Sequence, residues 1–403
     1  MAVTLQPTRS LYAHVFGSRL WRDGNTEADS LGGAIVSSLL LSGLHRTPAE
    51  LAARKQVEEL NAGAALTFSR NALLAGLLVH HTQLSASLLR RPTPYNQFSF
   101  SGSTHTNASI FLNYSLKNTS FFSEVARSIS GGYGLAAGML SSLSHQVDVS
   151  IHVRSYSRNY QPFYANALSE STVPQNERGI YWGWKYTPSK KVVAAGYVDL
   201  FQFPWLRYRL YTPHSEGSEW LLRITYKPSK SINAYAQYRE ETKDRNVRGE
   251  AANYQVSAGT KRNVWLHADF RIGALNWKSR IQYSRYEHTT TTNGWAFIQE
   301  VTLPICTFSI TARYVLFDTD DFDNRQYAYE RDVWLAYSLP AYQGTGMRTY
   351  VLIHRALGPR LDAWLRWAHT SFRDRETIGT GTEKIDGNSR NDVKFQLRYR
   401  FAQ

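Results

Sequence analysis

The last thirteen residues, NDVKFQLRYRFAQ (Asn391–Gln403), contain the pattern that decides the fold. From Val393 to Phe401 every second residue is large and apolar, and the residues between them are lysine, glutamine and arginine. Successive side chains of a β-strand point to opposite faces, so this pattern predicts a strand with one apolar and one charged face. Such a strand needs an apolar medium on one side and a polar medium on the other.

Composition excludes a bundle of transmembrane helices. The chain has 403 residues, of which 42% are hydrophobic and 13% aromatic, and its mean hydropathy is -0.41. A helix needs about 20 consecutive apolar residues to cross a bilayer, and the most apolar run, Leu31–Leu44, is shorter and interrupted by serines. Met1–Ser30 lacks the basic start and apolar core of a signal peptide. We therefore expect either a cytoplasmic protein or part of a longer exported precursor.

Charge and cysteine content limit the kinds of site that this chain can form, but they do not identify its binding partner. Cys306 is the only cysteine, which excludes a disulfide framework and a cysteine-based metal site. The 46 Lys and Arg residues outnumber the 32 Asp and Glu residues, giving a formal net charge of +14. This excess fits nucleic acid, anionic lipid or lipopolysaccharide, or anions that pass through a polar lumen. Charge alone does not choose among these partners.

Alternation of apolar and polar residues continues through most of the chain after residue 60. Segments such as Asn263–Ile272 and Arg360–Ala368 alternate over nine or ten residues, close to the roughly 9–11 residues that a tilted strand needs to cross a bilayer. Tight turns such as Tyr186–Lys191 and long polar connectors such as Arg373–Arg390 separate them. The sequence therefore predicts an all-β fold, a transmembrane antiparallel outer-membrane β-barrel of roughly 14 to 18 strands.

A large soluble β-protein is the structural alternative, because its strands also alternate and turn their polar face to water. Here the polar faces carry bulky Trp, Tyr, Arg and Gln, and Tyr and Trp recur near strand ends, which is typical of barrels in lipid. Tyr399 and Phe401 resemble the C-terminal assembly signal of outer-membrane barrels, although Ala402 and Gln403 follow them. We predict lipid against the apolar face and a polar lumen against the other.

The first sixty residues follow a different pattern. Thr47–Leu60 opens with an N-cap-like threonine and a proline at the first helical position, followed by strong helix formers. We predict three regions: a partly irregular segment at 1–46 that can supply the first strands, a short helix or turn at 47–60, and the barrel at 61–403. Because every strand of a barrel must be paired, we expect one or two strands before Thr47 to pair with Asp392–Phe401.

Five stretches resemble the C-terminal barrel of a Bacteroidota family, the helix-hairpin-helix domain-containing proteins of the competence type. In that family a signal peptide and helix-hairpin-helix repeats precede an outer-membrane barrel, which implies DNA uptake or binding through the preceding domain. The present sequence has no paired hairpin with a Gly-hydrophobe-Gly turn, so it resembles the C-terminal part of the family and lacks the DNA-binding residues. The stretches occur in order at residues 91–102, 154–183, 199–209, 314–346 and 372–401, and they include RPTPYNQFSFSG, DLFQFPWLRYR and RSYSRNYQPFYANALSESTVPQNERGIYWG.

One stretch carries candidate ligand contacts. Aromatic rings beside an arginine can stack on and clamp a sugar or a base, although an interfacial belt with loop packing explains the same residues. Asp318–Asn324 has acid spacing similar to a calcium loop, but lacks its central glycine and distant glutamate. We therefore assign no metal, cofactor or catalytic residue. The candidate contacts are Tyr156, Arg158, Tyr160, Phe163 and Tyr164.

The sequence thus predicts a non-enzymatic, monomeric outer-membrane barrel acting as a pore, a transporter shell or an anchor for a periplasmic domain. Expected partners are outer-membrane lipid, lipopolysaccharide and the barrel assembly machinery, and DNA through the preceding domain of the resembled family. Two alternatives stay open. One is a component of DNA uptake, and the other is an outer-membrane hydrolase that would use Asp320, Asp321, His288 and His369, for which no nucleophile–base spacing is found.

Overall fold

The fold is all-β, of the large barrel class, and is described from a computed structural model for residues 1–28, 33–247 and 255–401. One sheet contains 20 strands, somewhat more than the roughly 14 to 18 expected, and two further pairs of very short strands lie outside it. The elements are β1 (Ala2–Thr8), β2 (Leu11–Ala28), β3 (Ala34–Leu40), α1 (Pro48–Ala52), β4 (Val57–Arg70), β5 (Leu73–Leu88), β6 (Gly102–Leu116), β7 (Thr119–Ser128), β8 (Tyr133–Ser142), β9 (Val147–Tyr156), β10 (Glu177–Ser189), β11 (Val192–Phe203), β12 (Ser215–Ser229), β13 (Ile232–Asn246), β14 (Val256–Ile272), β15 (Leu275–Glu287), β16 (Thr291–Ile305), β17 (Phe308–Thr319), β18 (Gln326–Tyr327), β19 (Ala341–Tyr342), β20 (Thr345–Ala356), β21 (Leu361–Phe372), β22 (Thr377–Ile378), a 3-10 turn (Gly381–Glu383), β23 (Ile385–Asp386) and β24 (Ser389–Tyr399).

The chain divides into two compact units. The first contains Met1–Trp184, Val198–Ser218 and Asp244–Val256. Its longest strand, β2, pairs antiparallel with β4 over Leu11–Arg22, and the end of β2 pairs with β3. Strands β4 to β9 follow as consecutive antiparallel hairpins, each paired with the next. The second unit contains Lys185–Tyr197, Glu219–Lys243 and Ser257–Gln403.

In the second unit, β14, β15, β16, β17, β20, β21 and β24 form a meander in that order. Two-residue turns join several hairpins, and Cys306 and Gly273 each take a positive φ at the first turn position, as tight hairpin turns require. Long connectors alternate with these turns along the chain, and the longest joins β17 to β20. This confirms the alternation of tight and long connections seen in the sequence.

The two faces of the sheet differ as the sequence pattern predicts. In β24, Val393, Phe395, Leu397 and Tyr399 are exposed, whereas Lys394, Gln396 and Arg398 between them are partly covered. In β14, Leu266 is 48% exposed and its neighbour His267 is buried. We refer to the exposed apolar side as the outer face and to the polar, covered side as the inner face. The inner face therefore collects the charged and hydrogen-bonding side chains.

Residues 47–60 contain less helix than the sequence indicates. Thr47 caps α1 with a capping box to Glu50, and Pro48 begins the helix, but the helix ends at Ala52 and Val57 already starts β4. The prediction of a helix or turn to Leu60 is wrong at its C-terminal end, because pairing of β4 with β2 and burial of Val57 override the helix propensity of this stretch. No helix in the described residues is long and apolar enough to cross a membrane.

Both ends of the described chain contribute strands to the sheet. Residues before Thr47 contribute β1, β2 and β3 to the sheet, and β1 pairs with β2. The final strand, β24, pairs with β21 along its length, from Ser371↔Ser389 to Leu361↔Tyr399. Pairing of Asp392–Phe401 with the strands before Thr47 would join the first unit to the second, and it stays a prediction. Leu31 and Gly32, within the apolar run noted in the sequence, lie outside the described residues.

Candidate functional site

The connector between β17 and β20, Asp320–Gly344, folds against the inner face of the second unit, and we call it the inner segment. Two aspartates of the predicted acidic loop fix its start. Asp320 accepts a hydrogen bond from the Asn293 backbone amide at 2.7 Å, and Asp321 accepts one from the Thr292 hydroxyl at 2.7 Å and one from the Asn324 amide at 2.9 Å. These carboxylates therefore cap backbone and hydroxyl groups. Among the described residues, no group of three or more His, Cys, Asp or Glu side chains is placed so that it could hold a metal ion.

Two buried amides then attach the inner segment to β15. The Ser284 hydroxyl donates to Asn324 Oδ1 at 2.9 Å, and Gln326 Nε2 donates to the same hydroxyl oxygen at 2.7 Å. The neighbouring wall residue Gln282 donates from Nε2 to the backbone oxygen of Tyr327 at 3.0 Å. Gln282 and Asn324 are both completely buried. Since buried polar groups without partners are costly, these bonds hold the segment against the wall.

A buried carboxylate forms the centre of the site. Glu330 is 0% exposed and accepts hydrogen bonds from Arg348 Nε at 2.8 Å and from Arg348 Nη2 at 3.0 Å. Arg366 also donates to it, and the Tyr342 hydroxyl donates to Oε1 at 3.1 Å. We call Glu330, Arg348, Arg366 and Tyr342 the Glu330 clamp. Arg348 and Arg366 belong to β20 and β21, so the clamp joins the inner segment to two wall strands.

Further contacts follow directly after the clamp. Asp332 accepts a hydrogen bond from Lys394 Nζ of β24 at 2.6 Å. Val333 packs in a buried apolar group with Tyr350, Leu352, Trp364 and Ala368. The inner segment thus contacts the wall strands β15, β16, β20, β21 and β24. Removing one member of a buried ion pair costs about 3–5 kcal/mol, because the other charge stays buried and unpaired.

Three of the five candidate ligand contacts lie together in the first unit. Tyr156, Tyr160 and Tyr164 line a cavity of about 660 Å³ between the connector after β9 and the inner face. The Tyr156 hydroxyl donates to the Leu168 backbone oxygen at 2.8 Å, and the Tyr156 and Tyr160 rings stack with centroids 6.4 Å apart. Burial raises the pKa of the Tyr160 hydroxyl to about 12, and the Glu124 carboxylate adds to the shift.

Tyr164 reaches a second group of polar residues in this cavity. Its hydroxyl donates a hydrogen bond to the buried Glu59 carboxylate. That carboxylate also accepts a hydrogen bond from Arg22 Nε at 2.9 Å. The Tyr164 ring meets the His80 imidazole edge-on, with centroids 5.2 Å apart. Burial and the bond to Glu59 raise the pKa of the Tyr164 hydroxyl. The cavity therefore combines an aromatic wall with a small number of fixed polar groups.

The other two candidates lie outside the lining of this cavity. The Arg158 guanidinium lies over the rings of Phe98, at 4.4 Å from the centroid, and Trp205, at 5.3 Å. Phe163 packs edge-on against Phe100 at 4.9 Å. The structure therefore places three of the five residues in one cavity and Arg158 in the lining of a second cavity of about 490 Å³, while Phe163 contributes to loop packing.

The remaining sequence candidates are dispersed. His288 Nε2 lies 3.0 Å from the Ser257 hydroxyl oxygen, and His369 Nδ1 lies 2.9 Å from Asn391 Oδ1. Asp320 and Asp321 cap the start of the inner segment, as described above. Tyr399 and Phe401, taken from the sequence as an assembly signal, are exposed, and their rings meet edge-on at 5.1 Å.

None of the four residues of the Glu330 clamp was predicted from the sequence. Part of their signal was present, because alternation places Arg348 and Arg366 on the inner face of two consecutive strands. Two arginines on one inner face indicate a carboxylate partner, since unpaired charges are rarely buried.

Comparison with known proteins adds fold-level likenesses. No protein-family model matches the chain, and no curated protein sequence matches it significantly. Similar solved structures include the ferripyoverdine receptor of the outer membrane of Pseudomonas aeruginosa (TM-score 0.49, 9% identity, 99% of this chain and 64% of that one) and the siderophore receptor PiuA from Acinetobacter baumannii (0.47, 11%, 100% and 73%). The anion-selective porin from Comamonas acidovorans is another (0.36, 11%, 96% and 100%). This chain spans 64% of the length of that ferripyoverdine receptor and 65% of the chain that it matches in the FpvAI-pyocin S2 complex.

Proposed function

We propose that this chain is a monomeric barrel of the bacterial outer membrane that passes small hydrophilic solutes, and that the inner segment narrows the passage. The outer face supports a membrane location. Exposed Leu266, Ile281, Leu365, Phe395 and Leu397 have no covering layer in the described residues of the second unit. Exposed apolar side chains on strand after strand suit lipid, because water would make such a surface an aggregation risk.

The Glu330 clamp is the observation that carries the proposal. A connector that merely joined two strands would be expected on the surface, because its polar backbone needs water. The inner segment instead buries Glu330 between Arg348 and Arg366 and buries Asn324 and Gln326 against Ser284. A segment held in this way occupies space beside the inner face and restricts what can pass there. Its polar, charged surroundings favour hydrated solutes over apolar ones.

Conductance in a planar bilayer tests this function. We expect the purified full chain to come from the outer-membrane fraction, to show heat-modifiable gel mobility and to produce discrete current steps in salt solution. Recovery as a soluble cytosolic species would reject the membrane location. A folded, membrane-inserted protein without current, both in the wild type and in a variant that lacks the Glu330 carboxylate, would reject the passage and favour an anchoring role.

A further inference from the structure

A small cavity in the second unit is lined by more cations than carboxylates. It has a volume of about 300 Å³ and lies between the inner face of β14 to β17 and the inner segment. Ile298, Ala328 and Tyr329 supply its less polar surface. The charged side chains that line it are the cations Lys278, Arg280, Arg313 and Arg331 and the carboxylates Asp269 and Glu300, and His267 lies beside them.

One of the two carboxylates, Glu300, already accepts hydrogen bonds from neighbouring side chains. Glu300 Oε2 accepts a hydrogen bond from the Tyr350 hydroxyl at 2.7 Å and is also bonded by Arg313. Its other oxygen, Oε1, lies 3.7 Å from Lys278 Nζ and 3.7 Å from Arg331 Nε. These distances exceed a hydrogen bond. Lys278 and Arg331 therefore share one carboxylate oxygen from a distance.

The positive charge of Arg280 is balanced by nearby carboxylates even less than that of Lys278 or Arg331. Its Nε lies 3.3 Å from His267 Nδ1, and its guanidinium lies 5.9 Å from the Trp265 ring centroid. It forms no ion pair with any carboxylate in the described part of the chain. Asp269 lies across the strand pair from Lys278 and 3.0 Å from His267 Nε2. The cavity thus keeps an excess of positive charge, with four cations against two carboxylates.

We propose that this cavity binds a small oxyanion of the phosphate class through Arg280, Lys278 and Arg331. The inference rests on the proposed function, because it names the solute class of the passage. A guanidinium offers a rigid fork of donors that matches two oxygens of a phosphate or carboxylate, and the ammonium of Lys278 adds a point charge. The volume admits a phosphate ion, and Arg313 and Glu300 hold the wall behind it.

The site gives the passage its charge preference. Anions that enter beside the inner segment meet three cations, Arg280, Lys278 and Arg331, whose charge Glu300 balances only in part. Rings or clusters of Arg and Lys are the usual basis of anion selectivity in pores. Binding must remain weak enough for release, and the 39% exposure of the Lys278 and Arg331 side chains keeps the site open to exchange with solvent.

Titration calorimetry of the detergent-solubilised full chain with inorganic phosphate tests the site. We expect the wild type to bind phosphate and Arg280→Gln to bind it about 10- to 100-fold more weakly, since a hydrogen bond between charged groups is worth about 1.5–3 kcal/mol. The matched control is Arg285→Gln on the same strand. It removes the same charge from the outer face, where Arg285 is 46% exposed and pairs with Glu287, and it should bind phosphate like the wild type.

A separate measurement distinguishes failure of the site from failure of the passage. Reversal potentials in a salt gradient should favour anions in the wild type and in Arg285→Gln, and less so in Arg280→Gln. A wild type that does not bind phosphate, or an Arg280→Gln variant that binds it equally well, overturns the site even if the barrel conducts. Phosphate binding without any conductance leaves the site in place and overturns the passage. Heat-modifiable gel mobility confirms that each variant is folded.

Discussion

Glu330→Ala should release the inner segment and raise the single-channel conductance of the barrel. The substitution leaves Arg348 and Arg366 in a buried site without their shared carboxylate, and it removes the acceptor of the Tyr342 hydroxyl. Breaking a buried ion pair from one side costs about 3–5 kcal/mol. The wall strands keep their own backbone hydrogen bonds. We therefore expect the lost free energy to weaken the attachment of Asp320–Gly344 to the wall rather than the wall itself. Faster hydrogen exchange across that segment is the second expected result.

Two further variants make this prediction specific. Glu376→Ala removes a carboxylate from an exposed position of the connector between β21 and β24, and it should leave both conductance and exchange unchanged. Replacing Glu330, Arg348 and Arg366 together by methionine removes the three charges of the clamp while keeping most of the volume, and such replacements are often neutral or stabilising. Asp332 keeps its partner Lys394. We expect the backbone amides of the inner segment to exchange almost as slowly in the triple variant as in the wild type. Equal conductance and equal exchange in Glu330→Ala and the wild type would show that the clamp does not hold the segment.

The wall of the barrel is predictable from the sequence because its signal is local. A side-chain period of two assigns each residue to a face without knowledge of its partners. The assignment of Leu266 and Leu397 to the outer face and of Gln396 to the inner face agrees with their exposure. Hairpin turns are local as well, and they fixed the order of the wall strands. The extent of α1 was overestimated because helix propensity is a weak guide where a strand partner is available.

The inner segment was not predictable, because its contacts join residues far apart in the chain. Glu330 meets Arg348 at a separation of 18 residues and Arg366 at 36. Gln282 shows the consequence. From its position in the sequence, Arg should be tolerated there as in an open lumen, but Gln282 is completely buried beneath the inner segment and bonded to Tyr327. A larger, charged side chain at 282 would overpack this contact, which costs about 1–3 kcal/mol, so the expectation of a mild effect no longer holds.

Leu397→Arg and Gln396→Arg should differ sharply in stability although the two residues are adjacent. Leu397 is 55% exposed on the outer face, and Gln396 is partly covered on the inner face of the same strand, β24. At the bilayer midplane, arginine on the lipid face of a barrel costs about 2–4 kcal/mol, and near an interface about 0–1 kcal/mol. Leu266→Arg should show a similar cost in β14, where Leu266 lies opposite Ile281 on the outer face.

Unfolding of the barrel in urea, reconstituted in lipid vesicles, measures these costs as changes in the free energy of unfolding. The adjacent pair controls for depth in the membrane, since two neighbouring residues of a strand lie about 3.3 Å apart along it. Gln396→Arg should cost clearly less than Leu397→Arg, because its guanidinium remains on the polar inner face, where Asp332 and Asp362 pair with the flanking Lys394 and Arg398. In detergent micelles with a thinner apolar core, the free energies of unfolding of the two variants should differ less. If both variants lost the same stability in lipid, the outer face of β24 would not face the membrane, and the register that places apolar residues in lipid throughout the second unit would be wrong.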